Sequence, residues 1–256
     1  MNVKNLAILN SATKYPSILT YHKIGEKGRL TEELSFPLPS DDLVVTEKVD
    51  GTNARVIIAP DGDFFIGARE ELLYAMGDRI HNPTLGIVDA VLPIASAMAS
   101  RARSAASWII VFGEVFGSNV GKAARNYTRP DDVGFRAFDI VEIPVWMMDR
   151  LLDGRGGAEE AARWRDNGNQ PFLNYTDFEQ MTAYLGCPTV PCMPPCSRPP
   201  ESVVETAAWL KSVCSVTSVA QGVEPGKAEG VIVRSWDRKF IAKIRHEDYE
   251  RTLRAR

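Results

Sequence analysis

The sequence predicts an α+β fold of antiparallel sheets flanked by helices. Strand-like runs come in pairs joined by short turns, helical stretches are interleaved irregularly among them, and no regular βαβ rhythm is present. Leu43–Lys48, Ala54–Ala59 and Asp63–Ala68 read as strands. The last two are joined by Pro60-Asp61-Gly62, where proline presets one turn dihedral and glycine supplies the positive one. From Gly86 to about Arg103, Ile87, Val88, Val91, Leu92, Ala95 and Met98 recur at helical spacing, with Pro93 expected to kink or split the helix. Trp108–Glu114, Gly134–Glu142 and Val145–Asp149 are predicted strands, followed by a Gly-rich loop at Asp153–Gly157 and a short surface helix at Ala158–Arg165. Thr176-Asp177-Phe178-Glu179 has the form of a capping box, so a helix is expected from Asp177 to about Leu185. Another is expected over Glu201–Cys214, after Pro199-Pro200. Strands Gly230–Arg234 and Phe240–Ile244, joined by Ser235–Lys239, then lead into a basic helix.

The composition is that of an ordinary globular protein: 256 residues, 45% hydrophobic and 25% charged. No apolar run is long enough to cross a bilayer, and Met1-Asn2-Val3-Lys4 lacks a signal-peptide core, so a cytoplasmic location is expected. The formal charge is −3, but Arg234–Arg256 carries eight Lys/Arg against four Asp/Glu. A basic end on an acidic body can serve as a footprint for phosphates, or simply be a solvated helix.

Cys187, Cys192 and Cys196 fall close enough to suggest a metal. Zinc sites usually show paired Cys-x-x-Cys spacings, which are absent, and the prolines between these cysteines favour an extended segment. Free thiols are the simpler expectation for these three and for Cys214. His22, His81 and His246 read as surface or core residues.

Lys48-Val49-Asp50-Gly51-Thr52-Asn53 is the most informative stretch. It sets a lysine, a carboxylate, a glycine and a carboxamide at the end of an apolar strand. Strand alternation puts Lys48 and Asp50 on one face, Gly51 permits close approach of a phosphate, and Asn53 offers both a donor and an acceptor. Further charged groups sit at the edges of apolar strands: Arg69, Glu114, Asp139 beside Phe138, Glu229, and Lys243 with Arg245. Each alone could be a surface ion-pair partner.

Taken in order, these segments resemble the covalent nucleotidyltransferase superfamily of ATP-dependent polynucleotide ligases and mRNA capping enzymes. Lys48–Gly51 is similar to its Lys-x-Asp-Gly motif, Phe112–Gly117 to motif III, Phe135–Ile140 to motif IIIa, Glu229–Val233 to motif IV and Lys243–Arg245 to motif V. Within it the chain resembles the phage-type RNA ligase 2 family. That likeness is carried by Gly51-Thr52-Asn53, by Tyr15-Pro16-Ser17-Ile18, and by Gly117–Thr128 with Lys122, Asn126 and Tyr127. Leu185–Met193 resembles a Pro-containing strand of these ligases, which explains Cys187 and Cys192 without a metal.

The resemblance implies one nucleotidyltransferase (ATP-grasp-like) domain over residues 1–256, ATP and Mg²⁺ (or Mn²⁺) as cofactors, and RNA ends as partners. It implies Lys48 as nucleophile, and Asp50, Glu114 and Glu229 as Mg²⁺ holders acting through water, with Glu114 also contacting the ribose. Phe138 is expected to stack on adenine and the backbone beside Glu47 to read its edge. Lys243 and Arg245 would grip phosphates, with Arg69 and Asn53 acting in the later steps. Family members often have lysine where Arg234 stands, and the two are not interchangeable at a phosphate site. About ten residues follow Arg245, so neither the C-terminal domain of the phage enzymes nor an OB-fold is expected. Substrate grip is then left to the basic tail or a protein partner. Other acceptors, a DNA nick or a cap-like end, and an inactive end-binding module stay open as alternatives.

Overall fold

Strand β3 (Leu43–Lys48) runs through Val49-Asp50-Gly51 directly into β4 (Thr52–Ile58), and these two strands belong to different sheets. That crossing organises the molecule. The computed structural model describes residues 5–39, 43–75, 80–81, 86–102, 106–117, 120, 126–129, 132–154, 156–194 and 198–254.

Among the described residues there are three sheets, all paired antiparallel. One joins β1 (His22–Ile24) and β2 (Leu30–Leu34). The second has the order β11-β10-β3, with β10 at Gly230–Ser235 and β11 at Ile241–Arg245. The third has six strands in the order β7-β6-β5-β4-β8-β9. Its members besides β4 are β5 (Phe64–Ala68), β6 (Leu72–Ala75), β7 (Ile80–His81), β8 (Ser107–Gly117) and β9 (Val133–Pro144). The predicted fold class is the one observed.

Both faces of the large sheet are covered. On one side Val56, Ile66 and Val111 pack with Val88, Val91 and Met98 of α2 (Ile87–Ala102) and Phe178 of α5 (Tyr175–Leu185). On the other, Ile57, Phe65 and Ile110 meet Leu9 of α1 (Leu6–Ala12) and Met148 of α3 (Val145–Leu152). Helix α4 (Gly157–Asp166) packs Ala161 against α1. The small sheet has its own core with α6 (Val203–Val213) and α7 (His246–Leu253), built on Val231, Val233, Leu210 and Tyr249. Burial of such alternating apolar faces is the main force holding sheets and helices together.

Three expectations about elements change. Val145–Asp149 is the start of helix α3, not a strand: Pro144 precedes it with extended dihedrals, and Met148 is buried while Trp146 faces solvent. A four-residue apolar run fits either period, so its length could not decide. Helix α5 begins at Tyr175 rather than Asp177, because Asn174 is the cap, its side chain accepting from the Asp177 N–H at 2.9 Å. Helix α2 continues unbroken through Pro93. Pro93 and Asp89, whose carbonyl loses its helical partner, are both exposed, so water can satisfy that carbonyl. Helix α1 carried no sequence signal that was read. Lys122 and Cys196 lie outside the described residues, as does the side chain of His81. Among the described residues no helix is long and apolar enough to cross a membrane.

Candidate active site

Where the chain passes from the small sheet to the large one, a cavity of about 480 Å³ opens between them. Its lining holds Glu47, Lys48, Asp50, Asn53, Arg69, Glu114, Phe138, Glu229 and Lys243. They come from β3, β4, β8, β9, β11 and the loops beside them, brought together by pairings such as Lys48 with Gly230 and Asn53 with Glu114. Gly51 is required by packing of the protein on itself: a Cβ there would sit 2.1 Å from the Val115 carbonyl oxygen on β8. Its smallness thus seals the strand crossing, a different close approach from the phosphate contact the sequence suggested.

Lys48 Nζ donates to Glu229 Oε2 at 2.6 Å, with both side chains largely covered. Burial pushes the Glu114 carboxyl up to about 8; Lys48 opposes the shift, and Glu229 and Asp50 reinforce it. Glu229 is raised too, chiefly by burial, against the pull of Lys48. Lys243 is lowered, first by burial and then by Arg245 and Lys48. Three carboxylates and two lysines therefore share one poorly hydrated space, an arrangement suited to a phosphate chain with its counter-cation. Asn53 Oδ1 is buried and finds no hydrogen-bond partner among the described residues. A ligand hydroxyl can satisfy it.

Raised carboxyl pKa values have a stability consequence. Folded Glu114 keeps its proton where the unfolded side chain, at about 4.5, has lost it. Its contribution is therefore complete below the unfolded value and is lost as pH rises toward about 8. Glu114→Gln removes that loss. Urea denaturation of ligand-free protein should show the variant gaining roughly 3 kcal/mol on wild type between acid and mildly alkaline pH. Parallel pH profiles for the two proteins would contradict this.

Phe138 is placed by a β-bulge. The β8–β9 register passes from Phe112 opposite Asp139 to Gly113 opposite Ala137, skipping Phe138. A bulge re-aims the extra side chain, and here it lines the cavity beside Tyr15, whose ring meets it edge-on at 5.1 Å. Glu47 is placed from behind. Its carboxylate is buried away from solvent, accepting from Thr217 Oγ1 at 2.5 Å and the Ser218 N–H at 2.8 Å. Its backbone N–H donates to the Pro191 carbonyl at 2.9 Å, and Pro191 has no N–H to return. Tyr127 holds the motif from below, its hydroxyl accepting from the Asp50 N–H at 2.9 Å.

Two cations sit differently from the rest. Arg245 does not line the cavity: its guanidinium donates to both carboxylate oxygens of Asp248, at 2.8 and 2.9 Å. Arg234 lines the cavity but its Nη1 is turned to Asp139, at 3.3 Å. Arg69 stays at the lip, 69% exposed, its Nε 3.6 Å from Glu70. The basic C-terminal helix is largely self-neutralised, with Arg251 on Glu247 and Asp248, and Arg254 and Lys227 on Glu250.

Cys187, Cys192 and Cys214 are free thiols, the first and last buried and pushed up to about 12 by that burial. The 187–193 segment adds single β-bridges to both sheets, Thr189 to Ala137 and Cys192 to Thr46. Among the described residues no three His, Cys, Asp or Glu side chains are grouped closely enough to hold a metal ion.

Solved structures of similar fold include forms of an RNA ligase from Naegleria gruberi. A mutant with ATP and Mn is 17% identical, with a TM-score of 0.54 over 82% of this chain and 51% of the other. The ligase with PPi is 15% identical, with a TM-score of 0.53 over 94% of this chain and 64% of the other. A further mutant with AMP and Mn is 15% identical, with a TM-score of 0.54 over 84% of this chain and 52% of the other. The chain thus spans between half and two-thirds of the length of the ligases it matches. Among curated proteins none matches the sequence. The family model described as RNA ligase matches residues 41–245, and the chain belongs to the RNA ligase family.

Proposed function

We propose that this chain is an ATP-dependent RNA ligase of the phage RNA ligase 2 type that works through a lysyl-AMP intermediate. The observation that carries the reading is the enclosed pairing of Lys48 with Glu229 in a cavity that also gathers Asp50, Glu114, Phe138 and Lys243. A lysine amine must lose a proton before it attacks. Glu229, whose buried carboxyl holds a proton more readily than usual, is hydrogen-bonded to that amine.

Lys48 Nζ attacks the α-phosphorus of ATP, forming an N–P bond as the bond to pyrophosphate breaks. The AMP then passes to an RNA 5′-phosphate, and a 3′-hydroxyl displaces it to give the phosphodiester. Phe138 stacks on the adenine beside Tyr15. The Glu47 carbonyl, which Pro191 cannot engage, accepts from the adenine amine. Lys243 neutralises phosphate charge from within the cavity. Arg245 stands behind it, held by Asp248, and reaches phosphate only by exchanging that partner. Arg69 and the unsatisfied Asn53 Oδ1 serve the 5′-phosphate and the attacking hydroxyl.

Asp50, Glu114 and Glu229 are the residues that would hold Mg²⁺ or Mn²⁺. They fit a hydrated ion: the donors are all hard oxygens, burial disfavours the charged form of two of them so that a nearby cation would stabilise it, and they are too dispersed to grip a bare ion. When bound, such an ion neutralises charge building on the phosphate oxygens.

The test is an intact-mass spectrum after incubation with ATP and Mg²⁺, followed by sealing assays on nicked RNA, nicked DNA and triphosphate-ended RNA. One AMP on Lys48 with sealing of nicked RNA is expected. Sealing of DNA alone, or transfer only to the triphosphate end, would move the acceptor assignment. RNA binding without any adduct would make this an end-binding module.

A further inference from the structure

Asp139 is completely buried and carries two arginines. Arg234 Nη1 lies 3.3 Å from its Oδ1, and Arg238 Nε bonds its Oδ2. Tyr15 Oη donates to the same Oδ2 at 2.9 Å and receives Arg238 Nη2 at 3.0 Å. The Arg238 guanidinium also lies over the Phe172 ring, its central carbon 3.4 Å from the ring centre. Tyr15 and Phe138 form one aromatic wall of the cavity, and Asp139 is the next residue after Phe138 on the bulged strand.

Arg238 belongs to the turn between β10 and β11, on the small sheet, whereas Asp139 and Phe138 belong to the large one. Its backbone is left-handed, at φ 62°, a conformation that favours glycine and is uncommon for arginine. The turn is otherwise well determined. Ser235 Oγ accepts from the Phe240 N–H at 2.9 Å and donates to Asp237 Oδ1 at 2.7 Å, while Arg238 N–H donates to the Ser235 carbonyl at 3.0 Å. Nothing in the turn itself calls for a guanidinium at its left-handed position. The side chain's partners are all across the gap between the sheets.

We infer that Arg238 is a positioning residue: from a strained turn on one sheet it clamps Asp139 and Tyr15 on the other side of the cavity, and so fixes the aromatic wall against which the nucleotide base stacks. The inference rests on the nucleotide reading above and extends it to a residue outside every motif. Because the wall meets the base and not the reacting phosphorus, releasing it weakens substrate and transition state alike. KM then rises while kcat holds.

Arg238→Gly separates this from a stabilising role, since glycine takes the left-handed turn without strain and only the clamp is lost. Lysyl-AMP formation, followed by single-turnover kinetics over a range of ATP concentrations, should show KM for ATP up about tenfold with kcat within about twofold. A residue that merely stabilised the fold would lower the melting temperature and leave the KM of the folded enzyme unchanged. Arg238→Lys keeps one charge on Asp139 but cannot also reach Tyr15, and about a threefold rise is expected. An unchanged KM in either variant, with wild type forming its adduct normally, overturns the clamp alone. Wild type that forms no adduct overturns the nucleotide reading, and the clamp with it.

Discussion

Lys48→Ala abolishes the AMP adduct and leaves a folded protein. The expected drop in lysyl-AMP formation is about four orders of magnitude or more, because Lys243, the other lysine of the cavity, neutralises phosphate charge in the proposed mechanism and does not stand in for a lost nucleophile. Lys48→Arg does no better, since a guanidinium does not give up its proton near neutrality. The fold survives because Glu229 can compensate. Burial already raises its carboxyl pKa, and losing the 2.6 Å ammonium contact raises it further, which eases the cost of an unpaired buried charge. The expected stability cost is about 1 kcal/mol. Intact mass with ATP and Mg²⁺, beside a thermal melt of the same sample, reads both effects. An adduct of normal yield on the alanine variant would place the nucleophile elsewhere.

Asp139→Ala has the largest effect on stability. The carboxylate has no exposed surface, and Arg234 is only 3% exposed. Deleting it removes the carboxylate from two largely buried guanidinium groups and from the Tyr15 hydroxyl. Breaking a buried pair from one side typically costs about 3–5 kcal/mol. Asp139→Asn keeps the shape and one acceptor, and a loss of about 2 kcal/mol is expected. Urea unfolding followed by tryptophan fluorescence measures both variants. A loss below about 1 kcal/mol for the alanine variant would mean that the arginines find other partners, and that the cluster is not the anchor described here.

The elements that carry the site were mostly legible in the sequence. Strand β3 occupies the residues predicted for it, and β10 and β11 differ by a residue or so at their ends. Short β-branched runs beside glycine give little choice of conformation. The motif order brought nine of the ten expected residues to one cavity. What escaped depends on contacts distant in sequence. The bulge that aims Phe138 is a register event between β8 and β9, invisible in either strand alone. Asp139 binds Arg234 and Arg238, almost a hundred positions away, so nothing near Arg234 in the sequence pointed to its buried partner. The buried anchoring of the Glu47 carboxylate was not legible, because its partners, Thr217 and Ser218, lie in a segment with no periodicity to read. Arg245 is different: Asp248 follows it by three residues at the start of a helix, a local pairing that spacing alone could have suggested.

The order of assembly follows from one pairing. Strand β3 ends in Lys48, and it joins its sheet through β10, which is made only after residue 230. On the ribosome the large sheet's strands β4 to β9 can pair while Lys48 still has neither Glu229 nor Lys243 beside it. Closing so long a loop is slow relative to hairpin formation. Lys48 is therefore without its counter-carboxylate through most of synthesis, and it meets Glu229 only in the last stage of folding.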